Sequence, residues 1–389
     1  MKVNPAAAAM PPSGIREIMN AAWGRDDVLH LEVGQPDFPT PAAIVAAAHE
    51  AAAAGHTGYT PTAGIPALRA ALAAKIRERN GFSVEPDQVV LGNGGAQALQ
   101  ACLTALTEPG DGILLPDPAW PNFAMMAELL RLVPAHYGLT AANGYVPEVA
   151  ELESLVTPRT RVLLLNSPSN PLGSVIGRER MTELLEFAAR HDLWVLSDEC
   201  YDEITFDGTA VSPAALDRDG RVVTVFSFSK TYAMTGWRLG YAAAPPEVAE
   251  VLAKAQEPLI SCINTPTQYA GLAALHSPPD VVDGMVAAYR QRRDTVVGRL
   301  AALGMTAFRP AGAFYAWVDV SGAGLGAREF ALRLLAEEQV AVAPGTAFGP
   351  RGEGFLRLSL AASEHDLAEG CTRLARQWDR LRETAGTRR

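Results

Sequence analysis

A chain of 389 residues exceeds the usual size of one hydrophobic core, so its length predicts two packed domains or one large domain with an appendage. Hydrophobic residues make up 48% of the chain, but the apolar runs are short and interrupted, which argues against a transmembrane helix of about 20 apolar residues. The formal net charge of −10 argues against a nucleic-acid partner, because binding a polyanion requires a basic face.

The cysteines and the N-terminal stretch give an expectation about the compartment. Four cysteines are scattered without CxxC spacing, which predicts neither a disulfide scaffold nor a zinc site: Cys102, Cys200, Cys262 and Cys371. A reducing cytoplasm is the simplest setting for such thiols. The stretch MKVNPAAAAMPPSGI contains prolines that interrupt an already short apolar region, so we expect a mature N-terminal arm and not a signal peptide.

From Ala42 to about Val320, helical stretches alternate with short β-rich runs, which predicts an α/β fold with a mostly parallel sheet covered by helices. Apolar residues recur at three- and four-residue spacing in three predicted helices, Pro66–Arg79, Glu179–His191 and Pro246–Glu257. Five apolar runs predict strands: DQVVLG, GILLP, RVLLLN, LWVLSD and VVTVFS. Because these runs lack polar alternation, we expect strands that are buried on both faces.

The pattern changes after Pro278. A long helix (Val281–Leu303) precedes a β-rich stretch, a further helix (Ala327–Glu338), a strand and a final helix. This order predicts a second, smaller α+β domain. We therefore expect an N-terminal arm that forms part of the small domain (1–44), a large domain (45–280) and a small C-terminal domain (281–389).

Several predicted strands end in polar turns rich in Gly or Pro, after Leu91, Leu165, Leu196 and Phe226. Open α/β sheets bind ligands at the carboxyl ends of their strands. The turns are therefore expected to converge on one crevice.

Lysine is scarce in this chain, with four occurrences: Lys2, Lys75, Lys230 and Lys254. The second and fourth lie in amphipathic helices, where a solvated position is expected. Lys230 differs, because it follows the run VVTVFS and has Ser227, Ser229 and Arg238 nearby. This arrangement suits a covalent imine beside a bound phosphate, although an ordinary solvated lysine is the alternative.

Seven motifs follow one another along the chain: GQPDFPTP, GYTPTAG, NGGAQAL, NSPSNPLG, SDECYDE, SFSKTYAMTGWRLGY and FLRLSLA. Together they resemble the class I aminotransferases of fold type I over almost the whole chain. The resemblance implies an enzyme that uses pyridoxal 5′-phosphate and moves an amino group from an L-amino acid to a 2-oxo acid by a ping-pong mechanism.

The resemblance implies three catalytic residues. Lys230 would carry the cofactor as a Schiff base and shuttle the proton, which suits a neutral amine. Asp198 would hold the pyridine nitrogen protonated, although a strand-end Asp can instead cap a turn. Tyr201, together with Asn170, would bind the phenolic oxygen of the cofactor.

The resemblance also implies the remaining cofactor contacts. Trp120 would stack on the pyridine ring, although an aromatic residue in such a loop can also be ordinary core. The phosphate would be bound by backbone N–H groups at a helix start and by side chains: Gly95, Ala96, Gln97, Ser227, Ser229 and Arg238. Many relatives carry a hydroxyl where this chain has Ala96. Tyr59 would reach the cofactor phosphate of a neighbouring subunit, which implies a homodimer with shared sites.

Arg357 is implied as the residue that binds the substrate α-carboxylate, because a planar fork of donors matches a carboxylate. Gly34 and Asn170 match further carboxylate contacts. An exposed strand Arg is the alternative for Arg357. Since Arg357 and Lys230 belong to different predicted domains, substrate binding is expected to draw the domains together.

Other readings remain at this point. The same scaffold supports carbon–sulfur β-lyases and cyclising or decarboxylating enzymes, since fold and cofactor do not fix the reaction. A non-catalytic ligand sensor is less favoured, because the chain has neither a helix-turn-helix segment nor a basic face. Substrate side-chain choice is expected to depend on Ser13–Arg16, Trp120 and the region near Asn264.

Overall fold

The computed structural model of the protein describes residues 3, 7–8, 10, 13–208 and 210–386. The first residues of the predicted N-terminal arm, including Lys2, lie outside this part of the chain. Thirteen strands occur among the described residues: β1 (Leu29–His30), β2 (Val89–Gly92), β3 (Gly112–Asp117), β4 (Val133–Gly138), β5 (Thr160–Asn166), β6 (Trp194–Asp198), β7 (Val222–Ser227), β8 (Gly240–Ala243), β9 (Ala307–Phe308), β10 (Tyr315–Asp319), β11 (Val340–Ala341), β12 (Ala343–Pro344) and β13 (Phe355–Ser359).

The large sheet has seven strands in the order β2-β8-β7-β6-β5-β3-β4. The strands β7, β6, β5, β3 and β4 run parallel, and β8 is antiparallel to both of its neighbours. This arrangement confirms the predicted α/β fold with a mostly parallel sheet. Every residue of β2, β3, β7 and β8 is buried, as expected for strands covered on both faces.

Two strands of this sheet were not predicted, and each has a physical reason. The edge strand β4 has exposed residues and contains Pro134, which an edge strand tolerates because one side of its backbone needs no partner. The strand β8 has the sequence GYAA, whose small residues give little strand signal.

Helices pack on both faces of the large sheet and also occur in the rest of the chain. They are α1 (Gly14–Ala22), α2 (Ala42–Ala53), α3 (Pro66–Lys75), α4 (Gly94–Leu106), α5 (Asn122–Leu129), α6 (Val149–Leu155), α7 (Arg178–Arg190), α8 (Phe228–Thr231), α9 (Pro246–Ile260), α10 (Thr265–Leu275), α11 (Pro279–Ala302), α12 (Ala327–Glu338) and α13 (Glu364–Gly386). The predicted helices are confirmed to within a few residues. Helix α3 ends earlier than predicted, at a π-helical turn over Ile76–Asn80.

A second, antiparallel sheet has the order β12-β13-β10-β9 and packs with α11, α12 and α13. The short strand β1 pairs in parallel with β11, through Leu29 with Val340 and His30 with Ala341. The segment that precedes the large sheet thus joins the C-terminal part of the chain. Across the described ranges, no helix is both long and apolar enough to cross a membrane.

Gly240 in β8 lies against the start of α4. A Cβ atom at Gly240 would lie 2.6 Å from the backbone nitrogen of Gly95. We predict that Gly240→Ala lowers the free energy of unfolding by about 1–3 kcal/mol, the usual cost of overpacking. Equilibrium unfolding in urea measures this change.

Gly298 on α11 provides the matched control, because a Cβ atom there would meet no heavy atom within 4 Å. Gly298→Ala is expected to raise the free energy of unfolding by up to about 1 kcal/mol, the difference in helix propensity. Equal effects of the two substitutions would contradict the close approach of β8 to α4.

Candidate active site

A cavity of about 520 Å³ opens at the carboxyl ends of β5, β6 and β7. Parallel neighbours end at the same edge of a sheet, so the turns that follow them converge there. Most of the predicted site residues line this cavity: Gly34, Gly95, Ala96, Trp120, Asn170, Asp198, Tyr201, Ser227, Ser229, Lys230, Arg238 and Arg357. Gln97 and Tyr59 do not.

Lys230 lies on the short helix α8, directly after β7. Its Nζ atom donates a hydrogen bond of 2.6 Å to the carbonyl oxygen of Gly34. Burial, together with the positive charges of Arg357 and Arg238, lowers the pKa of Lys230 to about 8. A substantial fraction of this amine is therefore neutral near pH 7 to 8, which a nucleophile or a general base requires.

Asp198 is the last residue of β6 and is 4% exposed. Its Oδ1 atom accepts a hydrogen bond of 3.2 Å from the backbone N–H of Cys200. Burial raises the pKa of Asp198 to about 6, so at neutral pH most of the carboxyl group remains ionised. A buried carboxylate of this kind is a strong acceptor for a protonated nitrogen.

Two amide side chains and two phenols complete the floor of the cavity. The Oδ1 atom of Asn166 accepts from the backbone N–H of Asn170 at 2.8 Å, and its Nδ2 donates to the backbone carbonyl of Asp198 at 3.1 Å. The hydroxyls of Tyr201 and Tyr315 lie 2.7 Å apart. Burial holds the pKa of Tyr201 well above its usual value, so this phenol keeps its proton and can donate a hydrogen bond.

Arg357 projects from β13 of the second sheet and is 2% exposed. Its Nη1 donates to Asn170 Oδ1 at 3.0 Å, and its Nη2 donates to the backbone carbonyl of Glu32 at 2.5 Å. The guanidinium carbon lies 4.4 Å from the ring centre of Tyr315 and 4.8 Å from that of Phe348. Burial lowers the pKa of Arg357, but an arginine starts high enough to stay charged. The alternative for Arg357, an exposed strand arginine, is thereby excluded.

The start of α4 and Arg238 form a cradle of hydrogen-bond donors. The first N–H groups of a helix have no partner within the helix, and no described side chain caps α4. Gly94 has a φ of +78°, which favours glycine, and Arg238 packs so close that a Cβ atom at Gly94 would lie 2.2 Å from its Nη2. Such a site suits a small anion.

The two predicted residues outside the cavity have different surroundings. The side chain of Gln97 turns away, because its Oε1 accepts from the backbone N–H of Asn93 at 2.9 Å and its Nε2 donates to Gln256. The predicted backbone contact of Gln97 stays a prediction. Tyr59 is 94% exposed.

One expectation about the lysines is wrong. Lys75 is not solvated: its side chain is 10% exposed and forms ion pairs with Asp202 and Glu203. Burial alone would lower the pKa of Lys75, but Asp202 and Glu203 outweigh that effect and hold it well above the usual value. Lys254 is 70% exposed, as predicted. Among the described lysines, Lys230 therefore has the lowered pKa that reactivity needs.

Sequence reasoning did not select several residues that line the cavity or contact its arginine, among them Tyr315, Asn166 and Phe348. Tyr315 and Phe348 belong to the C-terminal part of the chain, and nothing in the local sequence shows that they reach the large sheet. Asn166 was detectable, because it ends the strand run RVLLLN immediately before the motif in which Asn170 was selected.

A model of the family described as "Aminotransferase class I and II" matches residues 26–374. The chain belongs to this family. The aminotransferase is 39% identical to an aspartate aminotransferase of Pyrococcus abyssi, over 93% of this chain and 95% of that protein. It is 40% identical to an arginine–pyruvate transaminase of Pseudomonas aeruginosa, over 90% of each protein. Its fold is similar to that of the Thermus thermophilus aspartate aminotransferase with maleate, with a TM-score of 0.92, 37% identity and coverage of 97% and 100%.

Aminotransferases of this family use pyridoxal phosphate, and this chain is a pyridoxal-phosphate-dependent transaminase. The residues of the cavity fit that cofactor. The donors at the start of α4 and Arg238 suit its phosphate, and the buried carboxylate of Asp198 suits its ring nitrogen. Ser227 Oγ accepts from the backbone N–H of Ser229 at 3.1 Å, which leaves the O–H proton of Ser227 to donate to an anion.

The lowered pKa of Lys230 gives a prediction for the enzyme without its cofactor. Only the neutral amine reacts with an acylating reagent, and half of Lys230 is neutral when the pH equals its pKa of about 8. Labelling of Lys230 is therefore expected to reach half of its maximal rate near pH 8. Peptide mapping by mass spectrometry follows this residue, and the exposed Lys254 serves as the reference in the same sample. A Lys230 rate that still rises about tenfold per pH unit above pH 9 would show that burial does not lower its pKa.

Proposed function

We propose that Lys230, Asp198 and Arg357 carry out amino-group transfer between an L-amino acid and a 2-oxo acid in this cavity. The observation that carries the proposal is their convergence: one amine of lowered pKa, one buried carboxylate and one buried guanidinium line the same cavity. Perturbed titratable groups that share a cleft are typical of active sites.

The first task of these side chains is to hold the cofactor. When bound, pyridoxal phosphate supplies an aldehyde carbon that joins the substrate amine and a ring that accepts the electron pair from the substrate Cα. Asp198 would accept a hydrogen bond from the ring nitrogen, and Trp120 would pack against the ring. Tyr201 and Asn170 would donate to the phenolic oxygen; the Nδ2 group of Asn170 suits this role because its Oδ1 accepts from Arg357.

The phosphate would be held at the start of α4. The backbone N–H groups of Gly95 and Ala96, the hydroxyls of Ser227 and Ser229 and the guanidinium of Arg238 supply donors around one small volume. Ala96 has no hydroxyl, so it contributes through its backbone alone. A dianion in this place is also favoured by the positive end of the helix dipole.

Lys230 Nζ would take the proton from the substrate Cα and deliver it to the cofactor carbon that has joined the substrate amine. A base works best when its pKa lies near the working pH, and the pKa of Lys230 is about 8. Closure of the cavity around a bound substrate would exclude water, which would otherwise compete for the proton.

Arg357 would bind the α-carboxylate of both substrates through its two terminal nitrogens. Gly34 lines the same cavity and would contribute a backbone N–H. Helix α1 would select the substrate side chain, because Ile15, Arg16 and Met19 line the remaining wall of the cavity. The named relatives act on different donors, aspartate and arginine, although their chains align over nearly the same length.

The proposal includes domain closure. We propose that residues 281–389 and 1–44 form a small domain that moves against a large domain over 45–280. Arg357 lies on the second sheet and Lys230 on the large one, so a substrate that contacts both favours a closed arrangement. The pairing of β1 with β11 supports the inclusion of the N-terminal segment in the small domain.

We propose a cytoplasmic homodimer in which Tyr59 of one subunit contributes to the site of the other. Tyr59 is 94% exposed, as expected of a residue whose partner lies on another chain. Its loop is fixed, since Thr265 Oγ1 donates a hydrogen bond of 2.7 Å to the carbonyl oxygen of Gly58. The four cysteines are free thiols, as proteins of a reducing compartment keep them.

A panel of amino donors with pyruvate and 2-oxoglutarate tests the reaction itself. The expected result is amino-group transfer that requires the 2-oxo acid, with parallel double-reciprocal plots for the two substrates. Release of ammonia without a 2-oxo acid would instead show a lyase.

Lys230→Ala tests the central assignment. Loss of the proton-transferring amine is expected to lower kcat on the order of 10²–10⁴-fold with the donor identified by the panel. The variant should also lose the borohydride-reducible linkage between protein and cofactor. Lys254→Ala is the matched control and should keep both the activity and the linkage, because this lysine is exposed and paired with Glu250. A reducible linkage that survives Lys230→Ala would refute the assignment.

Hybrid dimers test the shared site. Lys230→Ala and Tyr59→Ala are each expected to be impaired as homodimers. In a hybrid, one site combines an intact Lys230 with an intact Tyr59 of the other subunit, so unfolding and refolding the two variants together should recover about a quarter of the wild-type activity if both pair at random. A mixture no more active than the average of its components would mean that Tyr59 does not act across the interface.

A further inference from the structure

Residues 32–40, which we call the bridging segment, contact two basic residues of the proposed site, Arg357 and Lys230. The carbonyl oxygen of Glu32 accepts from Arg357 Nη2 at 2.5 Å, and the carbonyl oxygen of Gly34 accepts from Lys230 Nζ at 2.6 Å. Two residues span at most about 7 Å of chain. A displacement of this backbone therefore moves the acceptors of Arg357 and Lys230 together.

The bridging segment has little room on its inner side. A Cβ atom at Gly34 would lie 2.0 Å from the hydroxyl oxygen of Tyr315, so the backbone passes directly over that phenol. At its far end, Thr40 Oγ1 donates to the carbonyl oxygen of Ala233 at 2.6 Å and accepts from Trp237 Nε1 at 3.0 Å. These contacts fix the end of the segment to the chain that follows Lys230.

Between these points, one ion pair fixes the bridging segment to the small-domain side. Asp37 accepts two hydrogen bonds of 2.8 Å from Nη1 and Nη2 of Arg292 on α11. The two side chains are 28% and 11% exposed. A bidentate pair restricts both the distance and the orientation of its partners, unlike a single contact.

Arg292 also connects the bridging segment to β13, the strand that contains Arg357. Its Nη1 lies 3.4 Å from the carbonyl oxygen of Leu360, which directly follows β13, and its guanidinium carbon lies 5.2 Å from the ring centre of Phe38 and 5.7 Å from that of Tyr289. The guanidinium thus contacts a strand end and two rings in addition to Asp37. These contacts restrict its position, unlike that of a solvated surface ion pair.

We propose that Arg292 and Asp37 are positioning residues, which hold the bridging segment so that Arg357 and Lys230 keep a fixed position relative to one another. Neither residue lines the cavity, so neither is expected to touch substrate or cofactor. The proposal rests on the proposed roles of Arg357 and Lys230. It adds one requirement to those roles, namely that the ion pair between Asp37 and Arg292, outside the cavity, fixes the positions of Arg357 and Lys230.

Asp37→Asn and Arg292→Lys test the proposal in the full-length enzyme. The first keeps the shape but removes the charge, and the second keeps the charge but removes the fork. Each is expected to raise KM for both the donor and the 2-oxo acid about tenfold, the effect of losing one oriented contact, with a smaller change in kcat. The Kd of pyridoxal phosphate, followed by absorbance, should change by less than about twofold, since the phosphate donors lie on α4 and near Arg238.

A second measurement does not depend on catalysis. Since the Gly34 carbonyl accepts from the charged form of Lys230, a displaced bridging segment is expected to move half-maximal labelling of Lys230 in the apoenzyme to lower pH. The other groups that affect the pKa of this amine, Asp198, Cys200, Arg238 and Arg357, are not substituted in these variants. If the transfer reaction failed but this shift occurred, the positioning role would stand and the proposed function would not.

Glu153→Gln provides the matched control. Glu153 on α6 forms an ion pair with Arg190 on α7, away from the bridging segment and from the cavity. This variant should leave both KM values and the labelling midpoint unchanged. Thermal unfolding identifies a variant that does not fold, in which case the other member of the pair decides the result. Loss of stability in Asp37→Asn and Arg292→Lys with unchanged KM values and an unchanged labelling midpoint would overturn the proposal.

Discussion

The burial of charge at one edge of the large sheet is the constraint on which the rest of the site depends. Lys230, Asp198 and Arg357 are all taken out of bulk water, and the free-energy cost of that transfer falls on the charged form of each group. The same cost has opposite chemical results, because it favours a neutral amine in Lys230 and a proton-attracting carboxylate in Asp198. Arg357 stays charged, since its pKa starts far above neutrality.

Lys75 shows that burial does not act alone. It is as removed from water as Lys230, but Asp202 and Glu203 lie beside it and keep it protonated. The two lysines thus differ in reactivity, although both lie near acidic residues of the motif SDECYDE. At Lys75 the neighbouring carboxylates outweigh the effect of burial on the pKa. At Lys230 burial dominates, because Arg357 and Arg238 oppose the raising effects of Cys200 and Asp198.

The large sheet and the motifs at its strand ends were predictable because they are local patterns. Unbroken apolar runs specify strands such as β5 and β7, and the turns that follow them contain Asn170 and Lys230. Contacts between distant parts of the chain were not predictable in this way. The hydroxyl contact of Tyr201 with Tyr315 and the packing of Phe348 on Arg357 depend on how the second sheet meets the first, and no short segment contains that information. Strand β4 escaped prediction because edge strands bury little.

The pairing of β1 with β11 has a consequence for how the protein is made on the ribosome. The seven strands of the large sheet are all contained between Val89 and Ala243, so that sheet has its full set of partners while the chain is still being synthesised. Leu29 and His30 leave the ribosome early but find their partners, Val340 and Ala341, only near the end of translation. During translation the N-terminal segment therefore stays without its strand partners until most of the chain has been synthesised. A chaperone that binds apolar segments would act on it during that interval.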